Sequence, residues 1–161
     1  MLLDVDGVLT DGKLYFDGQG GELKAFDVQD GHGIALAQRA GLVVGFVSGR
    51  PSPATRRRAA DLGVTVVLEQ PVNKMEMVET VKRKLGIADE QICFVGDELV
   101  DLPVLRRVGL AVAVPNAMPE VRAAAHYVTR RRGGDGAVRE IVELILKAQG
   151  TWSAAIAKYL T

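Results

Sequence analysis

Only one of the 161 residues is cysteine and two are histidine, and aromatic side chains make up 5% of the chain. A single cysteine excludes an intrachain disulfide framework. Its position inside the apolar run "ICFV" makes Cys93 a buried thiol rather than a nucleophile. His32 and His126 stand without metal-ligand spacing, so both read as structural and a histidine-built metal centre is not expected. Charge of one sign is missing too. Twenty basic and twenty acidic side chains cancel, which leaves no global field to draw in nucleic acid or an anionic membrane. No apolar run is long enough to span a bilayer and nothing resembles a signal peptide, so a reducing cytoplasm is the expected compartment. There is no internal repeat, low-complexity tract or second-domain linker, and the length suits one domain, taken as 1–161.

The chain does have alternation. Short apolar runs, "LLDV" (2–5), "LVVGFVS" (42–48), "VTVVL" (64–68), "QICFVGD" (91–97) and "LAVAVP" (110–115), are separated by helical patterns. These start near Gly31, Ser52, Asn73, Leu102, Met118 and Gly136. Continuous apolar strands interleaved with helices predict an α/β fold, a three-layer Rossmann-like parallel sheet covered on both faces. In the last long helix Val138, Ile141, Val142 and Ile145 form one face, while Arg139, Glu143 and Lys147 pair along another. Gly63 and Gly86 read as helix stops. "KLYFDGQGGELKAF" (13–26) breaks the alternation and reads as a β-hairpin. The tail, about 150–161, reads as a short helix docked through Trp152, Ile156 and Tyr159, on this chain or on a neighbour. Three residues precede Asp4, so the first strand is expected to be truncated at its start.

The chemistry collects at the strand ends, where open parallel sheets bind ligands. Strand one ends in Asp4 and Asp6, strand two in Ser48-Gly49-Arg50, and strand four in Gly96-Asp97-Glu98 with Asp101 a turn later. Asn73-Lys74 opens the helix after strand three. Two aspartates side by side repel and lose solvation unless something offsets them. Carboxylates beside a hydroxyl and an amine suit a magnesium ion and a phosphoryl group. Lys74 at a helix start opposes the helix dipole, which argues against a plain surface role. Arginine suits bidentate recognition of a carboxylate. "TRRR" (55–58) and "TRRRGG" (129–134) read as solvated faces.

"DVDGVLTDG", "VSGR", the "NK" before a helix and "VGDELVDLPVL" follow one another in the order of the four motifs of the haloacid dehalogenase superfamily. With the hairpin, the lack of a cap domain and "GGDGAVREIVELIL", the whole chain resembles its capless phosphatases. The branch it is most similar to acts on an eight-carbon sugar-acid phosphate in lipopolysaccharide precursor synthesis.

The resemblance implies that Asp4 is the nucleophile that becomes an aspartyl phosphate, and that Asp6 is the acid and base. Ser48 and Lys74 would hold phosphoryl oxygens. Mg2+ would be bound by Asp4, the Asp6 carbonyl and Asp97. Thr10 would orient the Asp6 carboxyl, with Asp6 facing the same way as Asp4 along the strand and one member of the pair raised in pKa by the other. Gly49, Arg50 and Arg58 would meet substrate, Arg58 across a subunit interface. Glu98 and Asp101 would stand behind the metal, although an N-cap is an equal reading of Asp101. A homotetramer would close the capless site with the hairpin and the glycine-hinged "RRGGDGAVRE" segment.

Three departures from the pattern are Ser48 in place of threonine, Glu98 in place of aspartate, and His32 in place of a large residue. Arg50 favours the eight-carbon substrate over a nine-carbon, sialic-acid-type phosphate. A receiver-like phosphoacceptor domain is the alternative from another class, but its acceptor sits on strand three, which here ends at Glu69 without an aspartate. A catalytically silent regulatory subunit is disfavoured by the complete motif set.

Overall fold

The computed structural model describes residues 1–70 and 73–160. Pro71 and Val72, in the loop before Asn73, and Thr161, the last residue of the tail, lie outside the described residues. The strands are β1 (Leu2–Leu3), β2 (Tyr15–Phe16), β3 (Glu22–Leu23), β4 (Gly45–Ser48), β5 (Val66–Glu69), β6 (Cys93–Gly96), β7 (Leu110–Ala113) and β8 (Tyr127–Val128). The helices are α1 (Val28–Arg39), α2 (Pro53–Asp61), α3 (Lys74–Leu85), α4 (Leu102–Leu105), α5 (Pro119–Ala124), α6 (Ala137–Ala148) and α7 (Trp152–Ile156).

Six strands form one sheet in the order β5-β4-β1-β6-β7-β8, each pair parallel. The predicted doubly covered sheet is therefore present. The strand order reverses at β1, between β4 and β6, which is where such a sheet opens a crevice. Leu3, Val47, Phe46, Phe94, Val95 and Val112 are fully buried, as strands covered on both faces require. Helix α6 packs on α1, and α3, α4 and α5 pack in series. Cys93 is buried, and burial pushes its thiol up to about 12, so it is inert.

Local signals set the helix ends. Asn73 caps α3 by accepting from the Met75 amide at 2.9 Å, and Gly86 ends it at φ +65°. Gly63 follows α2 at φ +66°. Helix α1 starts at Val28 rather than near Gly31, because the Asp27 side chain accepts from the Asp30 amide at 2.9 Å and caps it earlier. On α6 the buried stripe is Val138, Ile141, Val142 and Leu146, with Ile145 only half-buried. The hairpin forms with two-residue strands, its turn held by Asp17 Oδ1 accepting from the Gln19 and Gly21 amides. The tail docks on this chain. Trp152 lies under Arg139 and Lys147, and the Tyr159 hydroxyl meets His32 and Arg39. Among the described residues no helix is long and apolar enough to cross a membrane.

Strand β1 ends at Leu3, and this changes how the two aspartates are related. Beyond it the chain turns: the amides of Val8, Leu9 and Thr10 all point to the Val5 carbonyl. Asp6 sits in that turn, so the two-residue alternation of a strand does not govern its direction.

Candidate active site

Asp4 extends β1 by one residue, its amide donating to the Val95 carbonyl at 3.0 Å. This fixes its carboxylate beside the end of β6. Asp4 Oδ1 accepts from the Val5 amide at 2.7 Å, and Oδ2 lies 2.8 Å from Lys74 Nζ. Lys74, buried at the start of α3, also meets Asp101 Oδ1 at 2.6 Å. The other Asp101 oxygen accepts from the amides of Asp97 and Glu98 at 3.0 and 3.1 Å. Gly96 makes room for this, since a Cβ there would lie 2.6 Å from Asp101 Oδ2. Asp101 therefore acts through its neighbours. Its side chain folds back to residues 97 and 98, and it makes no N-cap bond to α4.

Asp4, Asp97 and Asp101 each bring an oxygen within 4.8 Å of the others. One ammonium faces three carboxylates, and the shortage of positive charge shows in the acidities. Burial, then the charge of Asp101, pushes Asp4 up to about 6 against the pull of Lys74. Burial, then Asp4, pushes Asp97 up to about 8. Burial lowers the Lys74 ammonium, but Asp4 and Asp101 outweigh it and hold its pKa above the usual value. Asp97 Oδ1 is buried without a hydrogen-bond partner. An orphaned carboxylate oxygen among surplus negative charge fits a hard dication such as magnesium, which takes one or two carboxylates. Asp4, Asp97 and Asp101 are the carboxylates that could hold it.

The loop over this cluster is clamped from afar. A Cβ on Gly7, at φ +92°, would lie 2.0 Å from Asp97 Oδ2. Asn116 Nδ2 donates to the Gly7 carbonyl at 2.8 Å, while Asn116 Oδ1 accepts from the Gly133 amide at 2.8 Å. A Cβ on Gly133 would lie 1.7 Å from the Gly7 carbonyl oxygen. In the "RRGGDGAVRE" segment Gly134 also donates to the Val8 carbonyl, so Gly133 and Gly134 lie against the turn after β1.

Asp6 belongs to a second group. Its Oδ1 lies 2.7 Å from Lys24 Nζ and its Oδ2 lies 3.5 Å from Arg50 Nη2. Arg50 Nη1 pairs with Glu22, whose other oxygen accepts from Ser52 Oγ at 2.5 Å. The carboxylates crowding Asp4 are Asp97 and Asp101, not Asp6 as expected. Ser48 is buried at the end of β4, its hydroxyl exchanging bonds with the Arg50 amide and carbonyl, both at 3.1 Å. Gly49 is exposed, with open space on its Cβ side.

Three further positions of the expected set make contacts of their own within this chain. Thr10 is buried, and its hydroxyl bonds the Gly7 and Gly12 amides and the Val5 carbonyl. It therefore holds the turn, and its hydroxyl partners are backbone groups and not the Asp6 carboxyl. Glu98 is exposed, and its carboxylate accepts from the Leu99 amide at 2.6 Å. Arg58 donates to the Asp27 carbonyl at 2.9 Å and lies over the Phe26 ring, bracing the exit of the hairpin on its own chain. Arg56 is likewise tied, to Glu69 at the end of β5. Sequence reasoning missed Glu22, Lys24, Ser52 and Asn116. The alternation of Glu22 and Lys24 around Leu23 was the available signal for the first two.

Fold and site together define a haloacid dehalogenase-like hydrolase, and the profile of that family matches residues 63–141. The 3-deoxy-D-manno-octulosonate 8-phosphate phosphatase of Escherichia coli K12 is 46% identical over 150 residues, covering 93% of this chain and 80% of that protein. The crystal structure of the Moraxella catarrhalis phosphatase of that name, in complex with magnesium, phosphate and KDO, superposes with a TM-score of 0.95. It is 39% identical, over 98% of this chain and 91% of that one. The cobalt-bound Haemophilus influenzae phosphatase gives a TM-score of 0.89 at 41% identity, over 92% and 87% of the two chains. The chain belongs to the 3-deoxy-D-manno-octulosonate 8-phosphate phosphatase family of haloacid dehalogenase-like hydrolases.

Proposed function

We propose that this protein hydrolyses 3-deoxy-D-manno-octulosonate 8-phosphate to the free sugar acid and phosphate, with Asp4 as nucleophile, at a step of lipopolysaccharide precursor synthesis. The observation that carries the reading is the cluster of buried Asp4, Lys74 and Asp101 with half-buried Asp97 and its orphaned oxygen. Asp4 attacks phosphorus, and the bond from phosphorus to the sugar oxygen breaks as Asp6 gives that oxygen a proton. Water then attacks phosphorus and gives a proton to Asp6, and the bond to Asp4 breaks to release phosphate. Lys74 and Ser48 hold the equatorial oxygens, where charge must be stabilised. Magnesium, held by Asp4, Asp97 and the Asp6 carbonyl, supplies charge neutralisation and fixes the phosphoryl orientation. Arg50, at the mouth beside Gly49, meets the substrate carboxylate.

The reading extends to assembly. Leu14, Tyr15, Phe16 and Leu23 leave an exposed apolar face on the hairpin, which supports a homotetramer that buries it and covers the capless site. Light scattering after gel filtration tests this, and a fully active monomer at micromolar concentration refutes it. The protein is read as one domain working in the cytoplasm.

Phosphate release from a panel of sugar and sugar-acid phosphates, with and without magnesium, tests the function. Asp4→Asn is expected to abolish turnover, and a variant as fast as wild type refutes the nucleophile. Arg50→Glu is expected to lower preference for acid substrates while sparing an aryl phosphate.

A further inference from the structure

The sheet and the phosphoryl chemistry do not require the hairpin, yet the hairpin sends charge inward. Glu22 and Lys24 flank Leu23, which is 61% exposed. Alternation along an extended segment therefore turns both charges to the opposite side. The Lys24 side chain is 0% exposed, and lysine is almost never fully buried unless it is paired. Its partners are Asp6 Oδ1 at 2.7 Å and Glu22 Oε1 at 3.9 Å. Glu22 holds Arg50 and accepts from Ser52 Oγ, and Arg50 returns to Asp6 Oδ2 at 3.5 Å. Asp6, Lys24, Glu22 and Arg50 thus close a ring of alternating charge.

We propose that Lys24 is a positioning residue for Asp6, delivered by the hairpin and held in place through Glu22. Its ammonium occupies Asp6 Oδ1 and fixes the plane of the carboxyl, so the proton is exchanged at Oδ2, which has only the longer 3.5 Å contact to Arg50. The terminal torsion of an aspartate is otherwise broad, and a charge-assisted hydrogen bond is the strongest local means of narrowing it. Misplacing a reacting group by about 1 Å can lower a rate about 100-fold. The inference rests on the reading of Asp6 as proton donor and acceptor.

The test uses the magnesium-loaded protein with Lys24→Met, Lys24→Arg, Asp6→Asn and the double variant Lys24→Met/Asp6→Asn. Two substrates are compared: a sugar-acid phosphate, whose alkoxide leaving group needs a proton, and 4-nitrophenyl phosphate, whose phenolate does not. Lys24→Met is expected to lower kcat on the sugar-acid phosphate about 30- to 100-fold with KM within about threefold. On the aryl phosphate its first turnover stays within about threefold of wild type. The steady state is slower, giving a nitrophenolate burst larger than that of wild type, because release of the intermediate still needs Asp6. Lys24→Arg recovers most of kcat, and the double variant is no slower than Asp6→Asn.

An equal loss of first turnover on both substrates, or an unchanged kcat on the sugar-acid phosphate, overturns the proposal. Should Lys24→Met fail to fold, the comparison passes to Lys24→Arg, for which a first-turnover loss on the aryl phosphate as large as on the sugar phosphate overturns it. A wild type that turns over the aryl phosphate but no sugar-acid phosphate defeats the substrate assignment instead, and the burst still decides the role of Lys24.

Discussion

Magnesium uptake at this site should expel a proton. Asp97 is pushed up to about 8, first by burial and then by Asp4, and Asp4 is pushed up to about 6, first by burial and then by Asp101. At pH 7 about nine in ten Asp97 carboxyls and about one in ten Asp4 carboxyls then carry a proton. These protons belong to the interacting group as a whole. A carboxylate must be ionised to bind a dication, so loading releases close to one proton at pH 7. As pH falls through 8, protons compete with the metal, and apparent affinity should drop about tenfold, or about 1.4 kcal/mol, between pH 9 and pH 7. The stability of the metal-free protein follows the same linkage. A raised carboxyl stabilises the fold fully below its unfolded value near 3.8, and that contribution is lost as pH rises through about 8. The metal-free protein should therefore melt lower at pH 8.5 than at pH 6.5, with magnesium narrowing the gap. Titration calorimetry at pH 7 in two buffers of different ionisation enthalpy counts the proton. No proton released, together with an affinity constant from pH 6.5 to 9, would refute the reasoning.

Lys74→Met removes the cation between Asp4 and Asp101, and breaking such a buried pair costs about 3–5 kcal/mol. Chemical denaturation with chelator should show that loss, and magnesium should reduce it. Gly133→Ala drives a methyl into the Gly7 carbonyl; overpacking of this kind costs about 1–3 kcal/mol. The shifted loop should lower kcat far more than KM, which steady-state kinetics would read. Asp30→Ala removes the carboxylate that accepts from the Arg139 amide at 2.7 Å and the Gly136 amide at 3.3 Å. It should cost about 1–2 kcal/mol, as a lost helix cap does, and lower the melting temperature while leaving kcat unchanged.

Much of the sheet was legible because its strands are continuous apolar runs, a pattern that local sequence carries in full. Asp4, Lys74 and Asp97 were legible for a related reason: each lies at the end of such a run or at a helix start, and the fold brings those places together. What escaped depends on distant contacts. Asn116 clamps a loop 109 residues away, and neither end of that contact has a local signature. Lys24 reaches Asp6 across 18 residues, and a polar residue in a hairpin reads as solvated until the hairpin is seen folded against the turn. β8 is only two residues long and carries no period to detect. The backbone partners of Thr10 also had no local signature, since only the folded turn brings the Gly7 and Gly12 amides to its hydroxyl.

The least foreseeable point is how two aspartates one residue apart come to occupy such different surroundings. Repulsion between them was the natural expectation from "DVD", and a shared cation the natural remedy. The chain instead leaves the strand after Leu3 and turns on the Val5 carbonyl. Asp4 is thereby sent inward to a lysine and two further carboxylates, where positive charge is short. Asp6 is sent outward into a ring of two acids and two bases, where charge is balanced. A site short of positive charge attracts a cation and, only through that cation, a phosphoryl group, whereas a balanced ring exerts no such pull. One turn between the two residues is enough to put one carboxylate in a site short of positive charge and the other in a balanced ring.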